Sequence, residues 1–179
     1  MSAAFQNPVL LTETHDTDDF DCGEEPLNTF LKRHALQNQQ NNSSRTFVSC
    51  RNGTSGVVGY YSLCAASVEY DQTPERIRKG LARHEVPLIL LARLAVDRNC
   101  QGQGLGVSLL LDAFGRFLRT QETIGARALL AHAKGETAKA FYEKWGFIST
   151  EGLPLHLYIL TKNVKATLQA SNAQRESRR

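Results

Sequence analysis

Apolar positions along this chain fall at two spacings, and the switches between them mark out the elements. Pro8-Val9-Leu10-Leu11 is a short apolar run that reads as a first strand, and the polar, acidic stretch from Thr12 to Asp21 reads as a loop. From Glu24 on, Leu27, Phe30, Leu31 and Ala35 recur at helical spacing with Lys32, Arg33 and His34 between them, which predicts an amphipathic helix packed on a sheet. Gln37 to Ser44, rich in Gln, Asn and Ser, suits a frayed helix end or a mobile loop. Thr46 to Cys50 and Val57 to Val68 read as strands, and Asn52-Gly53 between them predicts an antiparallel hairpin. A short helix is expected within Tyr70 to Glu85.

The most legible stretch follows. Leu88 to Leu91 with Leu94, Ala95 and Val96 make a buried strand, Asp97 to Cys100 lead off it, and Gln101-Gly102-Gln103-Gly104-Leu105-Gly106 is a glycine-rich loop. Val107, Leu109, Leu110, Leu111, Ala113 and Phe114 then recur at helical spacing to about Thr120. Ala126 to Ala133 reads as another strand. Gly135-Glu136-Thr137 opens a short helix carrying Ala138, Phe141, Tyr142 and Trp145, with Gly146 as its C-terminal cap. Phe147-Ile148 and Leu155 to Leu160 close the pattern. These elements predict a domain over 1–161, followed by a polar, basic tail over 162–179 whose last ten or so residues are expected to be disordered.

Composition narrows the function classes. A chain of 179 residues with 41% apolar content suits one compact domain, and no repeat or second domain is visible. The formal net charge of +3 excludes the strongly basic field of a nonspecific nucleic-acid binder, so any polyanion contact must come from a local patch. Cys22, Cys50, Cys64 and Cys100 are scattered, without a C-x-x-C pair or a His at zinc spacing, so neither a metal site nor a disulfide framework is expected. MSAAFQNPVLL lacks the charged and apolar regions of a secretory signal, and no stretch reaches membrane-spanning length, which predicts a cytoplasmic protein without a membrane partner.

Strand, glycine loop and helix in that order form a candidate phosphate site, because glycines admit a bulky anion close to the main chain and a helix start offers unpaired N–H groups. A tight turn without ligand is the plain alternative. Gly106 is not followed by the Lys-Ser or Lys-Thr of a P-loop, and the glycines run G-x-G-x-G rather than at dinucleotide spacing. The pattern met instead is Gln/Arg-x-x-Gly-x-Gly/Ala, by Gln101, Gly104 and Gly106. Here the chain resembles the acetyl-CoA pyrophosphate loop of the GNAT N-acetyltransferases, and Ala140 to Phe147 matches that family's second motif, A-x-x-F-Y-x-x-x-G-F.

The resemblance implies an α/β (α+β) GNAT fold: a central mixed, mostly antiparallel sheet with splayed central strands, flanked by helices. It implies acetyl-CoA as co-substrate, with no metal. Backbone groups of Leu94, Ala95 and Val96 would pair with the pantetheine amides, N–H groups of Gln101, Gly102, Gln103, Gly104, Leu105 and Gly106 would hold the pyrophosphate, and Phe141 would belong to the same binding set. Tyr142 falls where the family places a general acid that protonates the departing thiolate. Packing of Phe141, Tyr142 and Trp145 as an aromatic core face is its structural alternative. An α-amine has a pKa near 8, so water can take its proton; His84, Glu85 and His132 are possible helpers, and none is assigned.

Phe20-Asp21-Cys22-Gly23 with Leu27, Phe30 and Leu31, then Ser44 to Val48, then LLARLAVDRNCQGQGLG, is similar to the toxins of bacterial type II toxin–antitoxin modules that acetylate the amino acid on charged tRNA. That resemblance covers roughly residues 5 to 161. It implies a block of translation, a ribbon-helix-helix antitoxin partner, a homodimer, and contact with DNA only through the antitoxin. Arg76, Arg78, Lys79, Arg83, Arg93 and Lys134 are the candidates for tRNA phosphates, against the alternative of a solvated basic face. The rival functions are a GNAT enzyme acting on a small amine or a protein amine, and a noncatalytic antitoxin-binding module. Neither the aminoacyl-tRNA, the dimer interface nor the antitoxin footprint is encoded legibly.

Overall fold

A computed structural model describes residues 4–177; the start of the N-terminal stretch and the final two residues of the tail read above lie outside the described residues. The chain divides into two compact units, Met1–Cys64 with Ala92–Ala113, and Ala65–Leu91 with Phe114–Arg179.

In the first unit β1 (Val9–Leu10) pairs antiparallel with β2 (Arg45–Cys50), and β2 pairs antiparallel with β3 (Val57–Val68), with a register shift at Ser49/Cys50. The predicted hairpin is therefore present. Its inner face meets an interrupted helix: α1 (Glu25–Thr29), a π-helical turn (Phe30–His34) and α2 (Ala35–Gln40). The Ala35 amide bonds to the Phe30 carbonyl, so the wider turn brings Phe30, Leu31 and Ala35 onto one buried face and leaves Lys32, Arg33 and His34 in solvent. That face packs with Leu11, Phe20, Val48, Val57, Tyr60 and Ala95 in one core. The Tyr60 hydroxyl donates to the Leu27 carbonyl at 2.8 Å, which satisfies the polar tip of a ring that has no exposure. On the other face Phe47 stacks on Tyr61 at 5.2 Å, and the Tyr61 hydroxyl donates to the Asp112 carboxylate.

The second unit is built on β4 (Val86–Val96), whose last residues belong to the first unit, and on β5 (Ala128–His132), β6 (Ile148–Ser149) and β7 (His156–Leu160). β4 and β5 run parallel, Leu88 opposite Ala128 through Leu91 opposite Ala131, while β5 with β7 and β6 with β7 are antiparallel. The register with β5 stops at Leu91, and β4 continues to Val96. Ile77, Val86, Leu88, Ala128, Leu130 and Tyr158 form the core, with Ile77 contributed by the short α3 (Glu75–Arg78). A 3₁₀ turn (Tyr70–Gln72) precedes α3. Hydrogen-bonded neighbours along the sheet follow the order β1-β2-β3-β4-β5-β7-β6, a mixed, mostly antiparallel arrangement of seven strands. Helices flank it, as the α/β (α+β) expectation requires: α4 (Leu105–Gln121) and α5 (Glu136–Lys144) besides those above.

The C-terminal segment departs from the expectation. Thr161–Glu176 is a helix, α6, where the polarity of the sequence suggested a tail with a disordered end. The reason is a narrow buried stripe: Val164 is fully buried, and Thr161, Asn163, Thr167, Leu168 and Ser171 are half-buried, while the remaining residues of the helix face water. Its start is pinned by the Thr161 hydroxyl, 2.9 Å from the Gln121 side-chain carbonyl. No helix among the described residues is long and apolar enough to cross a membrane.

Candidate active site

In the first unit the end of β4 delivers the chain into a braced glycine loop. Asp97 is buried and organises the turn, accepting from the Asn99 amide at 2.9 Å and the Asp21 amide at 3.0 Å. Asp21 in turn accepts from Gly23 and Asn28, both at 2.9 Å, and pairs with Arg98 at 2.9 Å. The Gly23 amide, followed by the Asn28 side chain, holds the Asp21 carboxyl below the usual carboxylate range. The Gln101 side chain donates to the carbonyls of Val96 (3.0 Å) and Cys22 (3.2 Å), and Gln103 to that of Asn99 (3.1 Å). Phe20-Asp21-Cys22-Gly23, quoted above only for its resemblance, is thus the clamp that holds Arg98 to Gln101.

The loop itself is shaped for an anion. Gly102 and Gly104 have φ of +73° and +83°, a region that disfavours any Cβ, and nothing lies within 4 Å of the space a Cβ would take at either. Ser108 is the first α4 residue whose amide bonds back, to the Gly104 carbonyl at 3.1 Å. The amides of Leu105, Gly106 and Val107 are therefore the orphan donors of a 17-residue helix. Open space, orphan donors and the positive end of the helix dipole fit a pyrophosphate. Leu94, Ala95 and Val96 lie on β4 just before this loop, beyond the register with β5.

In the second unit α5 carries Phe141 and Tyr142. Tyr142 is buried, its ring edge-on to Phe141 at 5.4 Å and tilted against Phe147 at 5.1 Å. The core packing weighed from the sequence is thus real for the ring, while the hydroxyl makes no hydrogen bond among the described residues. Burial pushes its pKa well above the ordinary phenol value, so the group is a phenol with its proton in place throughout the physiological range. Gly146 ends α5 at φ +97°, the left-handed cap read from the sequence. Of the possible bases, His132 stacks on His156 across strands at 4.1 Å, and burial together with that neighbour lowers its pKa. Glu85 accepts from the Ser67 hydroxyl at 3.1 Å, and His84 is exposed.

The six basic candidates do not form one group. Arg83 donates twice to Asp71, at 2.8 and 3.0 Å, and lies over the Tyr70 ring; Arg78 lies over the same ring at 5.0 Å and donates to the Tyr70 carbonyl. Asp71 offsets one of these two charges within the segment. Arg93, in the first unit, packs its guanidinium 3.7 Å from the centre of the Phe30 ring. Lys134 is exposed just before α5. Arg76 and Lys79 line a common cavity, of about 480 Å³, together with two residues outside those candidates, Arg127 and Lys162. These arrive from distant elements, so no local spacing announces them. A second cavity of about 910 Å³, formed by residues 71–75 and 149–153, includes the carboxylates of Asp71, Glu75 and Glu151. No cluster of three or more potential metal ligands occurs among the described residues.

A family model for the acetyltransferase (GNAT) domain matches residues 42–149. The tRNA-acetylating toxin of Mycobacterium tuberculosis H37Rv is 41% identical over 166 residues, covering 93% of this chain and 98% of that protein. The toxin AtaT complexed with acetyl-methionyl-tRNAfMet is similar with a TM-score of 0.82 and 32% identity, over 90% of this chain and 98% of the other. A Tyr-to-Phe mutant of AtaT bound to acetyl-CoA and the C-terminus of the antitoxin AtaR gives 0.77 and 32%, over 92% and 98%.

Proposed function

The chain belongs to the GNAT acetyltransferase family, and from that premise we propose that it is the toxin of a toxin–antitoxin module, transferring acetyl from acetyl-CoA to the α-amine of an aminoacyl-tRNA. The observation that carries this reading is 41% identity to a tRNA-acetylating toxin across 93% of the chain. Residues 1–161 work as the acetyltransferase domain. When bound, acetyl-CoA supplies an acetyl group on a thioester sulfur. Amides of Gln101 to Gly106 bind the pyrophosphate at the uncommitted start of α4, and the braces from Asp21, Asp97 and Gln101 keep those amides aimed without reorganisation. Backbone groups of Leu94, Ala95 and Val96 pair with the pantetheine amides, a nearby backbone N–H polarises the acetyl carbonyl, and Phe141 belongs to the same binding set.

As the new N–C bond forms and the C–S bond breaks, Tyr142 gives its proton to the sulfur, which leaves as a thiol. Burial keeps the phenol protonated at physiological pH, so a proton is there to be given. Water takes the proton of the amine. The product has no free α-amine, so it cannot accept a peptide, and translation stops. Arg76, Lys79 and Lys134 serve the phosphate backbone. Arg78, Arg83 and Arg93 contribute less, since each is already engaged within the fold.

The partner is an antitoxin of the ribbon-helix-helix type, the working form is a cytoplasmic homodimer, and DNA is met only through the antitoxin. Transfer of labelled acetyl to bulk charged tRNA, with deacylated tRNA and free amino acids as controls, tests the central claim: label confined to charged tRNA is the expected result. The carboxylate-lined cavity at residues 71–75 and 149–153 favours a second reading, a small-amine acceptor held by acidic side chains. Label on free amines with none on charged tRNA would select it.

A further inference from the structure

Four cations converge where the toxin reading needed only a general basic surface. Arg76 and Lys79 from α3 and its end, Arg127 just before β5, and Lys162 in the first turn of α6 line the cavity of about 480 Å³, with Leu160 and Thr161 completing its wall. No carboxylate lines it, and none of the four is in an ion pair among the described residues. Arg127 is held rigidly: its Nε donates to the Ile77 carbonyl at 2.7 Å and one Nη to that of Lys79 at 3.1 Å. Three of its five N–H donors remain for a ligand.

The start of α6 adds to the same imbalance. Its N-cap is Leu160, which cannot cap with a side chain, and its first turn holds no acidic residue but does hold Lys162. A cation beside the positive end of a 16-residue helix, facing three more cations, is unfavourable unless an anion is shared between them. Of the six residues that line it, four are cationic and Leu160 alone is an apolar residue.

Resting on the acetyl-tRNA reading, we propose that this cavity is a phosphate subsite that seats one backbone phosphodiester of the charged tRNA. Arg127 supplies fixed donors, Arg76, Lys79 and Lys162 supply mobile charge, and the open amides of α6 complete the shell. The contact is blind to base identity, so it positions the acceptor arm without choosing the tRNA.

The test compares two triple variants that remove equal charge. Arg76→Gln/Lys79→Gln/Lys162→Gln strips three exposed side chains from the cavity and leaves the bracing Arg127; Lys144→Gln/Lys165→Gln/Arg175→Gln strips three exposed cations that do not line it. For the first we expect KM for charged tRNA to rise about tenfold, KM for acetyl-CoA not to follow, and the dependence of tRNA binding on log salt to flatten by about one. The second should behave as the unsubstituted protein. Equal effects of the two triples, or none from the first, would overturn the subsite while leaving acetylation of charged tRNA standing. Loss of antitoxin binding with tRNA binding intact would overturn it in favour of the antitoxin. Failure of the unsubstituted protein to acetylate charged tRNA would remove the functional reading and this subsite together.

Discussion

Replacing Tyr142 by Phe separates the two things this residue does. The ring carries the packing, 5.4 Å from Phe141 and 5.1 Å from Phe147, and Phe keeps that ring; the hydroxyl makes no hydrogen bond among the described residues, so none is lost. Folding stability should therefore change by less than about 0.5 kcal/mol. Chemistry should suffer far more. A positioned general acid contributes roughly 10²–10⁴ in rate, which at 1.36 kcal/mol per decade is about 3–5 kcal/mol of transition-state stabilisation. The assay is acetyl transfer to charged tRNA at saturating acetyl-CoA, read beside thermal unfolding: kcat should fall at least about a hundredfold, with KM for acetyl-CoA nearly unchanged. A folded variant with kcat within about twofold of the parent would refute the acid role. A stability loss of about 2 kcal/mol or more would show instead that the hydroxyl is structural.

The same burial fixes the pH dependence. The folded pKa of Tyr142 is raised above its ordinary value of 10. Its contribution to stability is thus fully present below about pH 10 and is lost as pH rises beyond it, because the unfolded chain then ionises first. Activity should climb through the α-amine pKa near 8 and hold to about pH 10. A falling limb centred below about pH 9 that disappears in Tyr142→Phe would contradict a buried, protonated acid.

Other positions give independent checks. Gly104→Ala forces a Cβ to φ +83° in otherwise open space, so only backbone strain of about 1 kcal/mol opposes it; KM for acetyl-CoA should rise about fivefold, and an unchanged value would mean that the loop does not hold the pyrophosphate. Gly59→Ala places a Cβ 3.0 Å from Leu105 Cδ2 and Leu109 Cδ1, and a loss of roughly 1–3 kcal/mol in unfolding experiments is expected, partly relieved by adding Leu105→Ala. Val164→Ala empties a fully buried position under α6 and should cost about 2 kcal/mol; no effect would mean that this helix is not docked.

Local pattern determined much of this protein. The hairpin from Arg45 to Val68, the central strand, the glycine loop, α4 and the Gly146 cap are legible because each depends on residues close in sequence: apolar period, Asn-Gly turn chemistry, glycine freedom. The loop spacing and the Phe141-Tyr142 motif, through their resemblance, carried the acetyl-CoA assignment for the same reason. What the sequence left open depends on partners far along the chain. Only the fold joins Asp21 to Arg98 and Asp97, and so converts a loop motif into the clamp of the glycine loop. Val164 turns a polar segment into a docked helix only because a hydrophobic surface awaits it. Arg78 and Arg83, indistinguishable in sequence from Arg76 and Lys79, fall to Asp71 and Tyr70, whereas Arg76 and Lys79 meet Arg127 and Lys162 across a cavity. A charge is identical wherever it stands in a sequence; what it does is decided by which opposite charge, ring or carbonyl the tertiary structure sets within a few ångströms of it.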